Sequence, residues 1–101
     1  MVYLMVQHRV ENFQSWKKSF DQDEKILREA GCLRFGIYQS EQLQNNVTLF
    51  LEWDSTPNAK KFIESDRLKT IMKETGVIGE PQFHFLSLAE KKVLKDVNQA
   101  A

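Results

Sequence analysis

Residues 2 to 9 open the chain with alternation at a period of two. Val2, Leu4, Val6 and His8 fall on one face, and Tyr3, Met5, Gln7 and Arg9 on the other. β-Branched and aromatic residues in that pattern predict a strand. The period then changes. Phe13, Trp16, Phe20, Leu27 and Ala30 recur at helical spacing, with Lys17, Lys18, Asp21, Gln22, Lys25 and Arg28 on the other side. Asn12 is placed to cap this helix, and Gly31 to end it in the left-handed conformation. Residues 32–40 predict a second strand, with Leu33, Phe35 and Ile37 on one face, and residues 41–46 form a polar turn. Residues 47–54 are apolar on both faces until Glu52, the mark of a central strand. Ser55, Thr56 and Pro57 start a second helix, whose buried side is Ala59, Phe62, Ile63, Leu68, Ile71 and Met72. Ser65-Asp66 can divide that helix in two. Gly76 and Gly79 end it, and Pro81 opens a fourth strand over residues 82–88.

The order β-α-β-β-α-β predicts an α+β fold. It is a ferredoxin-like sandwich with a four-stranded antiparallel sheet, strand order 4-1-3-2, and both helices on one face. Residues 1–88 make the domain. Residues 89–101 read as an appended tail with weak helical character at Val93 and Val97. The face away from the helices carries Tyr3, Met5, Gln7, Arg9, Arg34, Gly36, Tyr38, Thr48, Phe50 and Glu52. A half-apolar face of this kind calls for cover. A second copy packed sheet to sheet supplies it and makes a homodimeric α+β barrel. The tail of the same chain is the other candidate cover.

Composition narrows the function classes. The 101 residues are 42% hydrophobic and 28% charged, as expected of one globular domain. Fourteen basic residues balance fourteen acidic ones, which gives no electrostatic reason to expect nucleic acid or an anionic membrane as partner. The single cysteine, Cys32, cannot make an internal disulfide, and its place after a helix C-terminus argues against a reactive thiolate. The apolar start, residues 1–6, is short and meets His8-Arg9 at once, unlike a signal peptide. No stretch approaches the roughly 18 apolar residues of a membrane span. The expectation is a soluble, cytoplasmic protein.

The segment Glu52-Trp53-Asp54-Ser55-Thr56-Pro57-Asn58-Ala59, leading through Phe62 to Ser65-Asp66-Arg67-Leu68, resembles the strand-to-helix segment of the antibiotic biosynthesis monooxygenase-like family. The opening Val6-Gln7-His8-Arg9-Val10, followed by Phe13, Trp16-Lys17 and Phe20-Asp21, is similar to small bacterial members of that superfamily. The resemblance spans residues 2–88. It implies a dimeric α+β barrel, and either an oxygenase that needs no cofactor or a protein with no established reaction. Its characterised oxygenases act on anthrones and quinols. Many carry a His three residues after the helix Ala; here Phe62 stands at that spacing from Ala59. Haem-degrading relatives use an Asn, a Trp and a His around the porphyrin, a set this sequence does not supply.

The candidate chemistry is sparse. His8 and His84 are the two histidines, and the antiparallel order brings the end of the first strand near the start of the fourth. Imidazole titrates near neutral pH, so either can serve as a catalytic base or be a partly buried, hydrogen-bonded side chain. A metal site needs further ligands, and the sequence has no His-x-x-x-His, His-Glu-x-x-His or cysteine cluster. Trp16 and Trp53 belong either to the core or to the walls of a flat substrate pocket, with Phe62 beside them. Tyr38, with Tyr3 and Arg9, can line a cleft near His8 or sit in a dimer interface. Glu52 in an apolar strand needs a partner, and Arg34 on the neighbouring strand can supply it. No phosphate loop, dinucleotide fingerprint or nucleophile elbow occurs. The expected function is oxidation or rearrangement of a planar aromatic or quinol-type molecule without cofactor. The alternative is a dimeric module that binds a hydrophobic ligand or serves in a stress response, without catalysis.

Overall fold

The computed structural model describes residues 2–95. Its elements are β1 (Val2–Val10), α1 (Phe13–Gln22), α2 (Glu24–Ala30), β2 (Cys32–Gln39), β3 (Asn46–Trp53), α3 (Thr56–Ile63), α4 (Asp66–Glu74) and β4 (Val77–Leu86). The four strands form one antiparallel sheet in the order β2-β3-β1-β4. This is the ferredoxin-like arrangement the sequence pattern predicts. β1 and β3 are central because alternate positions on them are apolar and buried. Leu4, Val6, Val10, Val47, Leu49, Leu51 and Trp53 make one continuous core layer under the helices. Burying each such side chain contributes about 1.5–3 kcal/mol against chain entropy.

The ends of the helices follow local chemistry. Asn12 accepts a hydrogen bond from the Ser15 backbone N–H at 2.9 Å, and Ser55 and Ser65 cap α3 and α4 in the same way. Gly31 ends α2 at φ +112°, where an added Cβ would lie 2.7 Å from Asp54 Oδ1. The first helical stretch is not one helix. It breaks at Asp23, whose N–H turns back to the Phe20 carbonyl at 2.9 Å. Both pieces still turn apolar residues to the sheet, so the hydrophobic period runs through the break unmarked. The second stretch breaks at Ser65, where the sequence allows it.

The fourth strand differs from expectation. It starts at Val77, and Gly79 and Pro81 lie inside it. The β1–β4 register jumps from Gln7 opposite Gln82 to Arg9 opposite Ile78, so Gly79, Glu80 and Pro81 stand against His8 alone. Such a bulge is tolerated because β4 is an edge strand. There Pro withdraws no central ladder bond, and Gly79 takes φ +72° without a side-chain clash. After β4 the described chain, residues 87–95, is exposed and neither helical nor extended in a sheet. The helical character expected around Val93 is therefore absent, and Val97 lies outside the described residues. Among the described residues no helix is long and apolar enough to cross a membrane.

Candidate functional site

Between the sheet and the helices lies a cavity of about 60 Å³. Leu4, Val6 and His8 of β1 floor it, Trp16 and Phe20 of α1 close one side, and Phe62 and Ile63 of α3 close another. His8 occupies the core face because it continues the even-numbered row of β1. It stands opposite Val47 on β3 and opposite the bulge on β4. Its polar neighbours around the cavity are Asp23, at the break between α1 and α2, and Thr75, at the C-cap of α4.

His8 is 8% exposed, and its Nδ1 is buried without a hydrogen-bond partner. Burial holds its pKa below the ordinary value of 6.5, against a smaller backbone contribution in the other direction. The ring is therefore mainly a neutral imidazole at pH 7, which keeps one of its two nitrogens free of a proton. It meets Trp16 edge-on, with centroids 5.4 Å apart. Trp16 stacks on Phe20 at 5.2 Å, and Phe20 meets Phe35 of β2 edge-on at 5.1 Å. This aromatic row fixes the position of the imidazole and keeps water from that side. A neutral, unpaired imidazole against an apolar hollow can accept a proton from a weak acid or a hydrogen bond from a hydroxyl.

The residues singled out from sequence divide among three places. His8, Trp16 and Phe62 come together at the cavity. Trp53 does not join them: it is fully buried at the end of β3, packs against Phe62 at 5.3 Å, and leaves its indole Nε1 without a partner. It supports Phe62 from behind and forms no wall of the cavity. His84 and Tyr38 lie on the opposite face of the sheet. His84 pairs with Met5, an odd-numbered residue of β1, and is exposed. The expected His8–His84 neighbourhood is thus replaced by a separation across the sheet. The cause is the early start of β4, which moves His84 to mid-strand, opposite Met5. Tyr38 is 58% exposed, meets Phe50 edge-on, and with Arg9 and His8 lines an open groove at the strand ends, the cleft near His8 that the sequence allows. Tyr3 is not part of that groove.

Two further expectations concern single groups. Glu52, 4% exposed on the open face, is held by Arg34 Nη1 through Oε2. Cys32 has its thiol pushed up to about 11 by burial first, with a smaller contribution from the charge of Glu52. It is a thiol, not a thiolate, at neutral pH. Sequence reasoning missed Asp23 and Thr75 as wall residues. Both sit at helix ends where no hydrophobic period marks them. Phe20 and Met72 were legible as buried helix positions, but not as cavity walls. Among the described residues no three His, Cys, Asp or Glu side chains come together to hold a metal.

No family model matches the chain, and no curated protein matches it. Solved structures do. A Bordetella bronchiseptica protein, provisionally named an antibiotic biosynthesis monooxygenase, superposes with a TM-score of 0.70 at 20% identity, over 92% of this chain and 97% of that one. A conserved protein from Methanosarcina mazei Go1 gives 0.66 at 22% identity, over 84% and 89%. SnoaB, a cofactor-independent oxygenase from Streptomyces nogalater, gives 0.70 at 8% identity, over 94% and 97%. Likeness at these identities is a likeness of backbone. The four-stranded sheet, its helical layer and these superpositions together establish that the chain has the fold of the antibiotic biosynthesis monooxygenases.

Proposed function

We propose that this protein oxidises a planar phenolic or quinol-type molecule with dioxygen, with His8 as the base and no cofactor. The observation that carries the reading is the buried, neutral His8 with an unpartnered Nδ1 at a largely apolar cavity. The superposition on a cofactor-independent oxygenase supports it at the level of fold.

The chemistry asks little of the protein. His8 takes the proton of the substrate hydroxyl, or of its keto tautomer, and leaves a delocalised anion. The anion supplies electrons to dioxygen and forms a carbon-bound peroxide. The imidazolium returns its proton to that peroxide, and water leaves. For an activated methylene the balance is CH2 + O2 giving C=O + H2O. An empty apolar cavity disfavours imidazolium, whereas an adjacent phenolate offsets that cost with its charge. Trp16 and Phe62 offer flat surfaces to the ring.

At about 60 Å³ the cavity holds a few waters, well short of the roughly 300–1,000 Å³ of a typical ligand pocket. Substrate entry in this reading needs the helical layer to open. Phe62, where many oxygenases of this fold carry a His, favours the second reading, a binding module without catalysis; the small volume bears on both readings alike. Oxygen uptake by the purified protein over anthrones, hydroquinones and quinols separates the two. The oxygenase reading expects uptake that falls by about 10²- to 10⁴-fold in His8→Ala, the usual contribution of a general base. A bound ligand recovered unchanged, with no uptake, would favour the binding module.

A further inference from the structure

The cavity has a neighbour on the helical side. A groove of about 320 Å³ runs between α2 and the α3–α4 pair, and Ile26 and Phe62 line both it and the cavity. These two side chains are the partition between the hollow around His8 and this groove. Beyond them the groove is lined by Lys61 and Arg67, with Asn58 and Ser65 as neutral polar groups. Its one acid is Glu29, whose carboxylate lies 3.8 Å from Lys25 Nζ. Among the described residues neither Lys61 nor Arg67 makes an ion pair, and both are exposed. The outer chamber is therefore cationic, while the inner one is apolar and ends at a base.

We propose that this groove is the entrance to the site, and that Lys61 and Arg67 select a planar phenol carrying a carboxylate. The inference rests on the oxygenase or binding reading of the cavity and adds the substrate class. The ring passes Phe62 and Ile26, the hydroxyl reaches His8, and the carboxylate stays at the mouth. Guanidinium suits this role because it forms paired hydrogen bonds to a carboxylate, and ammonium adds charge without fixed geometry. Both groups are wet, so their contribution is modest and sensitive to salt.

The test compares two probes of the same ring, 2-naphthol and 6-hydroxy-2-naphthoate, by calorimetric titration of the intact protein. The expected result is that the carboxylated probe binds about tenfold more tightly at low salt, within the range of two exposed charge contacts. That advantage should disappear in the Lys61→Ala/Arg67→Ala double variant and shrink in high salt, while 2-naphthol affinity stays unchanged. Both substitutions are at exposed positions, so folding is preserved, and circular dichroism of the double variant checks this. Equal affinities in the wild type, or an advantage that survives the double variant, would overturn the inference and leave the cavity reading standing. If neither probe binds, the cavity reading fails and takes this inference with it.

Discussion

His8 is the residue on which the account turns, and its burial has a thermodynamic consequence apart from any reaction. Its pKa in the folded chain lies below the 6.5 of the unfolded chain. Well above pH 6.5 both states hold it neutral, and the group makes no pH-dependent difference. As pH falls through 6.5 towards the folded value, the unfolded chain takes up the proton first, and stability is lost. Below the folded value the loss is complete. Urea unfolding between pH 8 and pH 5 should therefore show stability falling more steeply in the wild type than in His8→Gln. Equal slopes would mean that the imidazole is not buried in solution. His84 is exposed on the other face and present in both proteins, so it cancels in the comparison. The identity of His8 as a candidate base was legible in the sequence, because it continues an apolar alternating row. The separation of His84 from it was not, because Gly79 read as a helix stop and Pro81 as the opening of the strand, when both lie in a bulge within an edge strand.

At the scale of elements, the sheet topology followed from two features of the sequence. The apolar run of β3 up to Glu52 marked it as central, although its open face carries Asn46, Thr48 and Glu52 beside Phe50, and Gly31 and Ser55 delimit the helices beside it. The break at Asp23 was hidden, since Ile26, Leu27 and Ala30 prolong the apolar side of α1 across it. The open face of the sheet raises the question of cover. Phe50, Tyr38 and Leu86 are exposed there, close to the Arg34–Glu52 pair. We propose that a second copy packs on this face, which leaves the helical side and its groove free. A standard interface needs about 800 Å² from each partner. Sedimentation of the wild type should then give a dimer, and Phe50→Glu, which puts a charge at the centre of the face, should give a folded monomer. A wild-type monomer, or a Phe50→Glu dimer, would remove this assembly.

Across the whole molecule, one sheet separates two different environments. On the helical side an aromatic row holds a neutral imidazole at an apolar hollow; on the far side lie His84, Tyr38 and the Arg34–Glu52 pair. The family resemblance in residues 52–68 pointed to this fold, and the superpositions agree at the level of the backbone. The activity was less legible, because it depends on how few polar groups reach the cavity, which only packing decides. The central claim is that His8 takes a proton from a bound planar phenol. It is tested most directly without oxygen, using a phenol whose phenolate absorbs at longer wavelength, at a pH below the value at which it ionises in water. The account predicts the phenolate spectrum on binding to the wild type, and the phenol spectrum on binding to His8→Gln. A ligand bound to the wild type that keeps the phenol spectrum would contradict it.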